Sequence, residues 1–401
     1  MNKIITLAIA FLLFIPFASI NGNNVSLTNN TNGNILYVGG SGPNNYTSIQ
    51  SAVNDARTGD TVFVYSGIYY EEIDVTKAIV ITGEREDTTI IDGKNETATV
   101  ISVSSDNVVF NNFTVRNAPG DFWTNAMTVY DVNYIRISNC TITWCDGLTV
   151  WNSSNVCVEN CNISDNLQGM DIDFGCNNVT IRNCIVLHNL GKKDGSGYFG
   201  GSGIDIENNR GATTIRPSTN VSIANCSISN NRFWGILILD CYNLSVSNCR
   251  LYGNDAGIIL RGGNNYVISN CDIYEKHLGI DVTNSTQVNI KNCNVQSGDI
   301  GVRVSDISPD MLVSMTGCNI TNSRQGIYLY ACRRVSLNYN NIQGNDVGLL
   351  TEFSICDARY NYWGSELGPS RLLGLRGDRI MNRLPSIVRY FPWLIKEYEP
   401  E

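Results

Sequence analysis

The sequence predicts an all-β chain wound as a single right-handed parallel β-helix: a solenoid with coils of about 22 residues, an N-terminal capping helix and an irregular C-terminal cap. Two markers predict it. Asn-Cys pairs put cysteine at 140, 161, 184, 226, 249, 271 and 293, Gly-Cys at 318 continues the series, and apart from one step of 42 the spacings are 21 to 25. In parallel, glycine followed by apolar, any, apolar recurs at Gly147, Gly169, Gly203, Gly235, Gly257, Gly279, Gly301, Gly326 and Gly348, with five intervals of 22. The aligned unit is Gly-Ile-x-Ile, a turn, Asn-Val-x-Ile-x-Asn-Cys-x-Ile, and a polar turn to the next Gly. Apolar residues alternate with polar ones, as strands with one buried face require. Strands repeated in one order and direction cannot close hairpins, so they wind, with equivalent strands about 4.8 Å apart.

The elements follow in chain order. Lys3 precedes an apolar run, Ile4 to Phe17, too short to span a bilayer, and Ala18 and Ser19 offer a cleavage site. Residues 1–20 therefore read as a signal peptide and 21–34 as a polar leader, which predicts a secreted or cell-surface protein. The β-helix is expected over 35–363. Within it, Thr47-Ser48-Ile49-Gln50 reads as a capping box, and Ile49, Ala52, Val53 and Ala56 form one apolar face, predicting a cap helix over 47–57. Irregular first turns fill 61–110, and Phe113, Asn340 and Asn361 take the cysteine position in weaker copies. About twelve coils, roughly 55–60 Å long, result. Asn139, Asn160, Asn183, Asn225, Asn248, Asn270 and Asn292 sit at a tight corner and are expected to stack as an amide ladder in the left-handed conformation. The following cysteines point inward in parallel, and so are expected to be buried, reduced thiols. Past Trp363 the repeat is lost, and 364–401, with Leu372, Leu373, Ile387, Phe391 and Trp393, is expected to plug the far end.

Composition narrows the function. Acidic groups outnumber basic ones 37 to 28, and the only basic clusters are Lys192-Lys193 and Arg333-Arg334, which excludes nucleic acid as a partner. No other stretch is apolar for long enough to form a membrane helix once the signal is removed. Many Asn-x-Ser/Thr sequons permit glycosylation.

The stretch Tyr46 to Glu71 resembles the opening of pectate-lyase-like and pectinesterase-like β-helices. The Asn-Cys coils, Asn361-Tyr362-Trp363-Gly364 and Tyr390-Phe391-Pro392-Trp393-Leu394 resemble NosD-type proteins with PbH1 repeats, found among archaeal surface proteins. The resemblance implies the β-helix fold. For activity it implies polysaccharide lyases or hydrolases whose groove runs along the first strand, or NosD-like assistance to a metal enzyme. For the latter the chain offers only His188, His277, six Met and the inward thiols.

Alternation fixes which first-strand residues face outward. One ladder runs Thr128, Thr149, Asp171, Asp205, Leu237, Ile259, Asp281, Arg303, Tyr328, Leu350; the other runs Tyr130, Trp151, Asp173, Glu207, Leu239, Arg261, Thr283, Ser305, Tyr330, Glu352. Four carboxylates, Asp171, Asp173, Asp205 and Glu207, meet on adjacent coils, where a divalent cation, calcium given the all-oxygen ligands, would relieve their repulsion. Insertions at 189–202 and 208–220 flank them and bring Lys192, Lys193, Tyr198, Phe199, Arg210 and Arg216 to the rim. A lyase would use the carboxylates to hold calcium and a uronate; a hydrolase would use two, Asp171 and Asp205, as acid and base. Trp151, Tyr130 and Trp234 would stack on sugar rings, with Lys192 and Arg210 as further contacts; Tyr328 and Tyr330 beside Arg303 form a second sugar-contact patch. Against these stand two readings without chemistry: a solvated acidic face, and a structural or adhesive rod of the cell envelope. The predicted function is therefore an exported protein that binds polysaccharide along its first-strand groove, with cleavage left open.

Overall fold

The computed structural model describes residues 33–119, 124–193, 198–207, 216–309, 311–370 and 377–399. The signal segment, Arg210, Leu372, Leu373 and parts of both insertions lie outside the described residues. Three parallel sheets of 15, 14 and 12 strands run the length of the chain, and each strand's neighbours in a sheet come from adjacent coils. The coils number about fourteen rather than twelve. One added turn comes after residue 363: Gly377–Arg383 pairs in parallel with Val347–Glu352, and Ile387–Arg389 with Ile355–Asp357. Those strands would otherwise present unpaired N–H and C=O groups at the sheet edge. Trp363 is fully buried, and of the residues expected to plug the end Trp393 is half-buried and packs on the core with Val388 and Tyr390, whereas Ile387 and Phe391 are exposed.

A single coil shows why the repeat folds this way. Ile258, Leu260, Tyr266, Ile268, Cys271 and Ile273 all point inward and are fully buried, and the same positions one coil on, Ile280, Val282, Val288, Ile290, Cys293 and Val295, stack on them. Each such aliphatic side chain contributes about 1.5–3 kcal/mol by leaving water. Tyr266 is larger than the valine or leucine its neighbours carry, and its hydroxyl needs partners: it donates to the Gly262 carbonyl at 2.8 Å and accepts from the Cys241 N–H at 3.1 Å. Gly263 makes room, since a Cβ there would lie 2.0 Å from that hydroxyl.

All fourteen cysteines are free and buried. In the stack, Cys161, Cys184, Cys226, Cys249 and Cys271 each place Sγ 3.3 Å from the carbonyl two residues earlier. The thiols of Cys226, Cys249 and Cys271 are pushed up to about 12, first by the hydrogen bond with the preceding thiol of the stack and then by burial. They behave as small hydrophobes.

The expected exposed amide ladder is present at its first four rungs: the Asn160 amide donates to Asn139 Oδ1 at 3.3 Å, Asn183 to Asn160 at 3.2 Å, and Asn225 to Asn183 at 3.3 Å. All seven expected residues adopt φ between 51 and 55°. A second, fully buried column runs at the corner after the third strand. There Asn166 N–H donates to Asn189, Asn189 to Asn231, and Asn231 to Asn254, while each amide also donates to a strand carbonyl. The column ends on the buried Glu275, whose two oxygens accept from the Asn254 backbone and side chain at 2.7 and 2.9 Å.

The capping helix spans Ile49–Asp55 and buries Ile49, Ala52 and Val53 over the first coil. Ser48 is its N-cap, accepting from Ser51 N–H at 3.2 Å. The acidic half of the cap comes from Glu71, on the chain below, which accepts from the Ser48 hydroxyl and from the backbone N–H of Ile49 and Gln50 at 2.8–2.9 Å. Orphan helix N–H groups and a carboxylate thus satisfy each other across the coil.

Candidate functional site

The first-strand sheet places its outward residues in the predicted register. Thr128 pairs with Thr149, Thr149 with Asp171, Asp171 with Asp205, Asp205 with Leu237, and Leu237 with Ile259; Tyr130 pairs with Trp151 and Trp151 with Asp173. Register does not make these residues solvated. Asp205 and Glu207 are buried, while Asp171 and Asp173 are half-buried, so the four carboxylates do not form an open acidic face. The buried amide of Gln168 lies between two of them: Nε2 donates to Asp205 Oδ2 at 2.6 Å and to Asp171 Oδ1 at 3.2 Å, while Oε1 accepts from the Ser202 N–H at 3.1 Å. Among the described residues no group of three or more His, Cys, Asp or Glu side chains is arranged to hold a metal ion.

Beside the carboxylates lies an aromatic cleft of about 450 Å³, lined by Thr128, Tyr130, Asp131, Trp151, Asn152, Phe174 and Arg216. Trp151 and Phe174 meet with ring centroids 4.4 Å apart at 51°. Tyr130 is exposed and Trp151 half-buried, which suits a tilted wall open to solvent. Phe174 sits in the corner after the strand with φ 59°, where other coils carry Asp131, Asn152, Asp240, Gly262, Asn284 and Asp306. Those residue types tolerate the left-handed region, whereas an aromatic there is costly. Next to it, Gly175, with φ 78°, lets Arg216 pack close, since a Cβ at Gly175 would lie 3.0 Å from the Arg216 Cβ.

The other candidates lie elsewhere. Trp234 packs outside the coil on a satellite cluster of Leu237, Ala256 and Ile259, with Leu239 and Leu278, and does not line the cleft. Lys192 is exposed on a short antiparallel strand pair, Lys192–Lys193 with Tyr198–Phe199. His188, a corner residue with φ 55°, lies 3.7 Å from Asp165. Farther along the face Arg303 forks onto the fully buried Asp281, Nε to Oδ1 at 2.7 Å and Nη2 to Oδ2 at 2.6 Å; that hydrogen bond raises the guanidinium above its ordinary range. Sequence reasoning missed Gln168 and Phe174. Phe174 had a signal, an aromatic in a slot that most other coils fill with Asp, Asn, Gly or Ala.

Comparison with known proteins fits this architecture. The family model described as "Right handed beta helix region" matches residues 77–216, 194–308 and 257–362. No curated protein matches the sequence. Among solved structures, the Agl-KA catalytic domain aligns with TM-score 0.57 and 12% identity over 85% of this chain and 64% of that one. The catalytic unit of a thermostable GH87 alpha-1,3-glucanase from Streptomyces thermodiastaticus gives 0.58 and 15% over 90% and 69%. The Streptococcus pneumoniae surface protein and adhesin PfbA gives 0.50 and 14% over 87% and 94%. At these identities the likeness is one of fold, and this chain spans less than two thirds of the Agl-KA catalytic domain. Since the matched segments together cover more than half of the sequence, the chain belongs to the right-handed β-helix family.

Proposed function

We propose that this protein is exported and binds polysaccharide on the outer face of its first-strand sheet, at the Tyr130–Trp151–Phe174 cleft. The observation that carries the reading is that cleft: two tilted aromatic rings beside an exposed tyrosine, lining a concavity open to solvent on the first-strand sheet. Aromatic faces take the C–H face of a sugar ring, and Asn152, Asp131 and Arg216 offer hydroxyl partners at the edge. Export rests on the Ile4–Phe17 run. Among the described residues no helix is long and apolar enough to cross a membrane. Neighbours of this fold include both a glucanase catalytic unit and a surface adhesin, which fits either cleavage or adhesion.

Cleavage is the second reading, favoured by the pairing of Asp171 with Asp205 on the coils next to the cleft. The burial of Asp205 and its bond to Gln168 weigh towards binding without cleavage, because an acid or base must reach the glycosidic oxygen. Metal-enzyme maturation has less support still, since every cysteine is buried. The test is a panel of uronate and neutral polysaccharides, with and without calcium, scored for binding and for released reducing ends. Binding that falls at least about tenfold in Trp151→Ala is expected; equal binding by that variant would overturn the reading. Reducing ends that vanish in Asp171→Asn would establish cleavage, and a calcium requirement would establish a metal site.

A further inference from the structure

The aromatic pair of the cleft has a twin. Trp151 ends a first strand, pairs with Asp173 one coil on, and meets Phe174, the corner residue that follows. Tyr330 ends a first strand, pairs with Glu352 one coil on, and meets Phe353, the corner residue that follows, with centroids 6.0 Å apart at 81°. The corner conformation is the same, φ 59° at Phe174 and 51° at Phe353. Among the described residues these are the two aromatic occupants of a corner that Asp, Asn, Gly and Ala fill elsewhere on this ladder. Strain of this kind persists where surrounding structure or function requires it. No core claims Phe353: it is 54% exposed, and Tyr330 is 39% exposed.

We infer that Tyr330 and Phe353 form a second sugar-binding clamp, and that the protein recognises a long glycan chain held at both clamps rather than a short oligosaccharide. Both lie on one face of one rigid solenoid. Trp151 and Tyr330 occupy the same ladder seven coils apart, a separation of roughly 34 Å at about 4.8 Å per coil. The charges beside the second clamp are paired within the protein, Arg303 with Asp281 and Arg383 with Glu352, so it presents rings and neutralised polar groups and suits a neutral sugar ring. A polymer engaged at one clamp meets the other at high effective concentration, which a short chain cannot do.

The inference rests on the proposed glycan binding, and one calorimetric experiment separates the two. A polysaccharide that binds the wild type is compared with its own short oligosaccharide on the wild type, Phe174→Asn, Phe353→Asn and the double variant. Asparagine is chosen because the same corner holds Asn152 and Asn284, so the fold is kept. Two oligosaccharide sites are expected in the wild type, one in each single variant and none in the double variant, with polymer affinity falling tenfold to a hundredfold in either single variant. One oligosaccharide site, lost in Phe174→Asn and kept in Phe353→Asn with polymer affinity unchanged, would overturn the second clamp and leave the first. Binding unaffected by Phe174→Asn, or no glycan bound at all, would overturn both.

Discussion

Inside the solenoid each position is answered by its own kind one coil away; on the outer face of the first-strand sheet it is not. Val246, Ile268 and Ile290 follow one another inward, as do Cys249, Cys271 and Cys293. Outward, Asp205, Leu237, Ile259, Asp281, Arg303 and Tyr328 succeed one another in register with little in common. The interior must close-pack against copies of itself, so one solution repeats; the face meets solvent, loops or a ligand, so each coil is free to differ. What is irregular on the face is therefore where function is to be sought.

The sharpest way to break the comparison is to disturb an interior column. Asn231 is fully buried; its Oδ1 accepts from the Asn189 backbone and amide, and its Nδ2 donates to the Val186 carbonyl and to Asn254 Oδ1. Asn231→Ala strands several of these groups, at about 1–3 kcal/mol each, so a loss of roughly 4 kcal/mol or more is expected in urea denaturation. Asn248→Ala, in the exposed column with φ 52°, should cost about 1 kcal/mol, chiefly for the left-handed backbone. Equal losses at the two sites would show that the buried column is no more constrained than the surface one.

Glu275 gives the next effect, in pH. Burial, opposed by the Asn254 hydrogen bonds and by Lys276, raises its carboxyl to about 7, against 4.5 for the ordinary group. The folded state holds a proton that the unfolded state has released, so stability falls as pH rises from about 4.5 to about 7, by up to roughly 3 kcal/mol. Glu275→Gln keeps an acceptor for Asn254 and should flatten the pH dependence of the melting temperature over that window. A slope unchanged in the variant would assign the titration elsewhere.

Much of this was legible in the sequence because it repeats. The 22-residue double marker located the sheets, the inward thiols and the register of both outer ladders. Partners that do not repeat were hidden: Gln168 between Asp171 and Asp205, Glu71 on the cap helix, and Glu275 closing the asparagine column belong to one coil each. Burial on the outer face was hidden too, because alternation tells which way Asp205 points and not what covers it. The strands past residue 363 were missed because they pair without carrying the Gly and Asn-Cys signals.

The smallest effect has the opposite sign and tests whether the face is shaped for binding. Phe353 holds φ 51°, where a non-glycine residue costs about 1–2 kcal/mol and asparagine costs less. If the ring serves a ligand, it contributes little to the folded state beyond its edge contact with Tyr330, and Phe353→Asn should stabilise the protein by about 0.5–1 kcal/mol while weakening polymer binding. Thermal denaturation without ligand reads the first, and calorimetry the second. Phe174→Asn should gain less, because it also gives up the 4.4 Å packing on Trp151. A loss of 1 kcal/mol or more in Phe353→Asn would mean that the ring is there for packing, and the face at that coil would then follow the same logic as the interior.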